Sequence, residues 1–286
     1  MSHLKTLSAF VVAAAAFGLG MPAQAAETLV EENVSYAKLD GTDLKLDIAR
    51  PDGDGPYPAI VFIHGGGWYQ GSRQRYRETI REAARRGYVG ITITYRLMKF
   101  DEAKKETTKA TPNFPAQIQD AKAALRWVRA NSKKYHIDAD HIGVTGESAG
   151  GHLSLPVGLK DAKAGLEGDA GNAEQSSRVQ AVVNVFGPTD MEQCFKTSSV
   201  AWIFRLFMGG TPEEAAETYR VASPITYVSS DDPPVLTIHG DKDALVPIAQ
   251  ATMLDDKMKS AGAKHTLLLL KGQGHGFAGQ AQQFCE

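Results

Sequence analysis

The chain has 286 residues, of which 43% are hydrophobic, with 31 basic and 33 acidic side chains and a formal net charge of −2. That apolar content excludes a disordered chain, and the charge balance excludes the basic surface that nucleic-acid binding demands. The length fits one large α/β domain. The densest charge run sets Lys104, Lys105 and Lys109 among Asp101, Glu102 and Glu106, which reads as a solvated loop or helix face.

The first 25 residues have the layout of a signal peptide: Lys5, an alanine-rich apolar run over 7–19, and the small-residue pattern Ala23-Gln24-Ala25. The mature domain is therefore expected over 26–286, in the periplasm or outside the cell. The alternative is an uncleaved anchor. It fits less well, because the run is short for a membrane span and Pro22 ends it. Cys194 and Cys285 have no metal-ligand spacing. In an oxidising compartment they could pair, and the sequence leaves that open.

Residues 34–38 and 44–48 alternate in polarity around Asp40-Gly41 and predict an edge hairpin. Ala59-Ile60-Val61-Phe62-Ile63 is a continuous apolar run, as a strand buried on both faces requires. It leads into His64-Gly65-Gly66-Gly67-Trp68. Without Cβ atoms, three successive glycines let backbone N–H groups come close to a ligand, and such fixed donors stabilise a developing anion. His64 reads as an orienting residue of this loop.

Residues 72–86 have helical spacing with Gly87 as the stop, and 88–95 is a second buried strand. From 96 to 115 the pattern is lost, and this polar stretch is expected over the active-site edge. Residues 117–131 predict an amphipathic helix with Ile118, Ala121, Leu125 and Val128 on one stripe.

Ile142-Gly143-Val144-Thr145 then predicts a buried strand running into Gly146-Glu147-Ser148-Ala149-Gly150-Gly151-His152. A helix follows over 153–160, with Pro156 bending it or sitting near its start. A G-x-S-x-G pentapeptide on a strand-to-helix turn lifts a serine hydroxyl above the sheet and points the next N–H at the same spot. Gly66, Gly67 and Ala149 are thus the expected oxyanion donors, and Ser148 the nucleophile.

Residues 162–178 read as a polar surface loop and 179–186 as a strand. Residues 191–228 form a long excursion containing Trp202, Phe204, Phe207 and Met208. These aromatics read either as core or as a cap over the site. Thr211-Pro212 predicts a helix start inside it. Residues 234–239 and 266–270 are strands around a helix over 248–261. Strands alternating with helices indicate one doubly wound, mostly parallel sheet with helices on both faces.

In such a sheet the loops after the strands share one edge. Ser148, the 241–243 loop and His275 all follow strands, in the order Ser, Asp, His of an α/β-hydrolase. The other histidines fit the base role poorly. His3 leaves with the signal, and His136 and His141 precede the serine strand. His152 lies on the helix after the serine, His239 is too near the acid loop, and His265 enters the last strand from the far edge. Asp243 is the leading acid, with Asp241 and Asp190 as alternatives.

These residues resemble α/β-hydrolase esterases grouped with bacterial feruloyl and acetyl-xylan esterases, related to the hormone-sensitive-lipase-like group. The resemblance rests on His64 to Trp68, Phe114-Pro115-Ala116-Gln117-Ile118-Gln119-Asp120, Gly146 to His152, Phe186-Gly187-Pro188-Thr189-Asp190, Asp243-Ala244-Leu245-Val246-Pro247 and Gly274-His275-Gly276-Phe277. It implies the α/β-hydrolase fold, the catalytic set Ser148, Asp243 and His275, no metal and no other cofactor. The implied substrate is a small-molecule or oligosaccharide ester. No nucleic-acid partner is expected, nor a membrane after signal cleavage. The oligomeric state is not given. An amidase, aryl-formamidase or peptidase-like hydrolase on the same frame is the alternative activity. A binding module without catalysis is disfavoured by intact nucleophile and histidine motifs.

Overall fold

Strands buried on both faces and amphipathic helices can satisfy one another only as layers. The computed structural model shows that arrangement over the residues it describes, 27–100, 110–159 and 165–277. Strands β1 (Thr28–Leu39), β2 (Thr42–Pro51), β3 (Tyr57–Ile63), β4 (Val89–Ile93), β5 (Ile137–Glu147), β6 (Ala181–Val185), β7 (Val235–Gly240) and β8 (His265–Leu270) form one sheet. Its order is β1-β2-β4-β3-β5-β6-β7-β8. The β1–β2 hairpin pairs antiparallel and joins β4 antiparallel, and the sheet from β4 to β8 is parallel.

The helices are α1 (Arg77–Arg85), α2 (Ala116–Ala130), α3 (Ser132–Tyr135), α4 (Ala149–Gly158), α5 (Met191–Thr197), α6 (Ala201–Met208), α7 (Ala216–Ala222) and α8 (Ala249–Ser260). The period-two pleat of β3 sends its side chains to two different cores. Ala59, Val61 and Ile63 join the large cluster with Ile118, Leu125 and Leu153 of α2 and α4. Phe62, with Ile60 beside it, joins Ile80, Ala83 and Ala84 of α1. Helices therefore cover both faces, as the sequence predicts.

Four local readings are corrected. The helix expected from Thr211 starts at Ala216. Thr211 instead caps a separate turn, its backbone N–H donating to Glu214 Oε2 at 2.9 Å while its hydroxyl accepts from the Glu214 N–H at 3.4 Å. Pro156 does not sit near the start of α4 but inside it, in its last turn. The stretch before β6 is not simply solvated. Leu166 and Ala170 are buried, and Glu167 takes the buried cations Lys122 and Arg126 of α2 at 2.8 and 3.0 Å. The serine strand also starts earlier than expected, so His141 lies within β5.

The segment expected to be a signal peptide, the charge run at 101–109 and Cys285 lie outside the described residues. Cys194 is buried. Among the described residues no helix is long and apolar enough to cross a membrane.

Candidate active site

β5 ends at Glu147 and α4 begins at Ala149, which leaves Ser148 alone in the turn with φ 53° and ψ −119°. A positive φ is costly for a residue with a Cβ, and such strain persists only where the surroundings hold it. Here the Ser148 N–H donates to Val185 O and its carbonyl accepts from the His152 N–H, both at 2.9 Å. The close approach demands glycine on both sides. A Cβ at Gly146 would collide with the Gly150 carbonyl, and one at Gly150 with the Ile63 carbonyl. The sequence rule that small residues must flank Ser148 thus has a specific cause, the packing of the turn against the end of β3.

The loop after β3 is fixed just as firmly. Gly66 O accepts from the N–H groups of Tyr69 and Gln70 at 3.2 and 3.0 Å. His64 is fully buried, its Nδ1 is 2.8 Å from Gly65 O, and its ring stacks on Tyr95 with centroids 4.4 Å apart. Burial lowers its pKa. Trp68 is buried in the left-handed region with φ 63°, stacked on Phe207 of α6 at 4.1 Å. The loop is a rigid wall pinned to the 191–228 excursion.

β7 and β8 deliver the other two groups. Asp243 Oδ1 accepts from the N–H groups of Leu245 and Val246 at 2.9 Å each. Its Oδ2 lies 2.7 Å from His275 Nδ1, and His275 Nε2 lies 3.0 Å from Ser148 Oγ. Burial by itself would raise the Asp243 pKa. The histidines His239 and His275 and the Val246 N–H outweigh it and hold the carboxyl well below the usual carboxylate range. The carboxylate is thus fixed as an acceptor, which sets Nε2 of a neutral His275 free to take a proton from Ser148. The His275 ring is held against Phe186 at 4.5 Å.

The rival acids are engaged elsewhere. Asp241 accepts from the Gly272 N–H at 2.6 Å, and Asp190 caps α5 by accepting from the Gln193 N–H at 2.9 Å. The other histidines stay away from Ser148 Oγ. His239 is buried, with Nε2 2.8 Å from Val246 O and 3.5 Å from Asp243 Oδ2. His152 is buried, with Nε2 2.8 Å from Ala222 O, and burial pushes its pKa down to about 4. His265 bridges Asp255 and Thr237 at 2.8 and 2.9 Å.

Ser148 and His275 open into one cavity of about 340 Å³ whose wall also includes Gly66, Gly67 and Ala149, the three expected donors. One flank is polar, with Gln70 and the Arg75–Glu147 pair. Much of the rest of the lining is apolar, with Val200, Trp202, Ile203, Phe204 and Leu245. Within the 191–228 excursion Phe204, Phe207 and Met208 are buried, and Trp202 and Phe204 line the cavity. From the 96–115 stretch, Phe100 packs edge-on against both Tyr69 and Trp202 at the cavity rim. Arg75 and Gln70 were not singled out from sequence. Arg75 sits within a segment of helical spacing, and its partner is 72 residues away. Among the described residues no cluster of three or more His, Cys, Asp or Glu is placed to hold a metal ion.

A mostly parallel eight-stranded sheet whose serine turn, acid loop and histidine loop meet at one edge is the α/β-hydrolase fold. Within that fold the chain belongs to the BD-FAE family, whose model matches residues 46–258. It is 34% identical over 228 residues to the esterase LipC of Mycobacterium tuberculosis, a match covering 78% of this chain and 53% of that protein. The chain spans about half the length of the curated relatives it matches. Among solved structures, it is similar to a truncated form of a carbohydrate esterase from gut microbiota, with TM-score 0.78 and 34% identity over 92% of this chain and 95% of that one. It is also similar to a propionate-bound thermophilic esterase of the Planctomycetes species Thermogutta terrifontis, with TM-score 0.71 and 27% identity over 91% and 90% of the two chains.

Proposed function

We propose that the chain is an exported serine carboxylic-ester hydrolase for short acyl or carbohydrate-linked esters, acetyl and feruloyl esters among them. The observation that carries this reading is the continuous hydrogen-bonded line from Asp243 through His275 to Ser148, opening on a cavity walled by Gly66, Gly67 and Ala149. Ser148 Oγ attacks the ester carbonyl as His275 Nε2 accepts its proton. Asp243 holds the ring tautomer and stabilises the imidazolium. The N–H groups of Gly66, Gly67 and Ala149 receive the oxyanion, that of Ala149 with the favourable end of the α4 dipole behind it. His275 then protonates the leaving alcohol, activates water, and the acyl group departs as the acid.

The size and two-sided lining of the cavity support the substrate class. About 340 Å³ is at the small end of ligand sites, which suits a short acyl group against Trp202 and Ile203. Gln70, in the polar part of the lining, suits a hydroxyl-bearing alcohol. The carbohydrate esterase and the propionate-bound esterase among the similar structures support the two halves separately. Export rests on Lys5, the apolar run over 7–19 and Ala23-Gln24-Ala25.

The test is hydrolysis of p-nitrophenyl acetate, butyrate and octanoate, methyl ferulate, an acetylated xylo-oligosaccharide and an aryl formamide, with Ser148→Ala as control. The expected result is fastest turnover of acetyl or feruloyl esters and none by Ser148→Ala. Retained hydrolysis by that variant, or preference for the formamide, overturns the reading.

A further inference from the structure

The serine turn carries a charge that the esterase reading does not use. Glu147 directly precedes Ser148, its side chain is only 15% exposed, and it lines the same cavity. Its stem lies along the oxyanion loop: a Cβ on Gly65 would come within 3.3 Å of Glu147 Cγ. A carboxylate so largely shielded from solvent is on the wrong side of the chemistry. The reaction builds negative charge on an oxygen held by the same loop, and a second negative charge nearby opposes it, the more so where water is excluded.

Arg75 meets that carboxylate with a two-point fork, Nε to Oε1 at 2.6 Å and Nη2 to Oε2 at 3.2 Å. It comes from the 3-10 turn at Arg73–Tyr76, directly after the glycine loop. Its own side chain is 62% exposed. An exposed arginine forking a carboxylate that lines the cavity differs from the surface pairs of α1, such as Arg85–Glu82, in which both side chains are more than 40% exposed. Those pairs sit in high-dielectric surroundings and contribute little.

We propose that Arg75 is a positioning residue that acts through Glu147, cancelling its charge beside Ser148 so that the oxyanion forms against a neutral flank. The inference rests on the esterase reading of the site. It assigns to the Arg75–Glu147 pair a share of the rate rather than a share of substrate binding. It also makes the polar flank neutral overall, so the alcohol it accepts is uncharged and hydroxyl-bearing rather than a carboxylate or a phosphate.

The experiment compares steady-state hydrolysis of p-nitrophenyl acetate by the wild-type chain, Arg75→Ala, Arg75→Lys and the double variant Arg75→Ala/Glu147→Gln. Thermal melting checks that each is folded. The expected result is a kcat for Arg75→Ala lower by on the order of tenfold with KM little changed. Arg75→Lys, which keeps the charge, recovers most of the loss. The double variant, which removes the charge that needs cancelling, returns to within about threefold of wild type. A purely structural bridge between loop and turn predicts the opposite for the double variant, which would be no faster than Arg75→Ala, and that result overturns the proposal. A loss confined to KM also overturns it, since Arg75 would then be touching substrate. A wild-type chain that does not turn over the ester at all overturns the esterase reading itself. An active wild type without rescue in the double variant overturns only the inference.

Discussion

Ser148 Oγ, His275 and Asp243 are joined by contacts of 3.0 and 2.7 Å, and Thr237 Oγ1, His265 and Asp255 by contacts of 2.9 and 2.8 Å. The same ring atoms face the same partners in both, Nε2 the hydroxyl and Nδ1 the carboxylate. What differs is the backbone under the hydroxyl and the space above it. Ser148 stands in a left-handed turn facing a cavity, whereas Thr237 lies in mid-strand within β7, fully buried, in register with β6 and β8. The second relay ties β8 to α8 and cannot be reached by a substrate. A hydroxyl–imidazole–carboxylate line is therefore not a signature of chemistry. The strained turn, the glycine wall and the open volume separate a reactive relay from a structural one.

The two relays should separate cleanly under substitution. Ser148→Ala is expected to lower kcat by about 10⁶-fold with an unchanged melting temperature. Thr237→Val should leave kcat within twofold of wild type and lower stability by about 1 kcal/mol for the hydroxyl's lost hydrogen bond, read from urea midpoints. A large loss of rate in Thr237→Val would break the comparison. Asp243→Asn is expected to cost about 10⁴-fold in kcat by admitting the wrong tautomer, while Asp255→Asn shifts only the melting curve. Below these in effect is Gly150→Ala. Its new methyl meets the Ile63 carbonyl, and chemical unfolding should show a loss of about 3 kcal/mol; unchanged stability would mean that the turn is looser than described.

The last effect, on stability alone, concerns pH. His152 in the folded chain is held down to about 4 by burial, while the unfolded imidazole titrates near 6.5. Between those values the unfolded chain binds a proton that the folded chain refuses. His152 therefore costs stability as pH falls below about 6.5, with a slope approaching 1.4 kcal/mol per pH unit. Urea midpoints between pH 6.5 and 5 should show a shallower slope in His152→Gln. An identical slope would place the acid sensitivity elsewhere.

Much of the site is legible in the sequence because each part is local. Ser148, Asp243 and His275 each follow a buried strand within a short motif, and a parallel sheet brings such loops to one edge. The choice of Asp243 over Asp241 and Asp190 becomes plain only when the hydrogen bonds of the other two are seen. The Arg75–Glu147 fork was hidden because an arginine in a segment of helical spacing looks like any solvated one. The early helix start at Thr211 failed because a capping turn is also complete without a helix behind it. The 165–178 stretch reads as a surface loop because nothing in its composition shows that the buried Lys122 and Arg126 of α2 draw their acceptors from it.

Trp68 is stacked at 4.1 Å on Phe207, and the three glycines before it form the wall beside Ser148. The helix that carries Phe207 also carries Trp202, Ile203 and Phe204 on the apolar flank. On the proposed function, selectivity and turnover share one mechanical part. Carving a larger acyl slot by trimming α6 disturbs the same indole that anchors the glycine wall, so variants chosen for bulkier esters should become slow on small ones as well. Changes on the Leu245 side of the cavity, which belongs to the loop after β7, leave that anchor in place and offer the separate route to a broader substrate range.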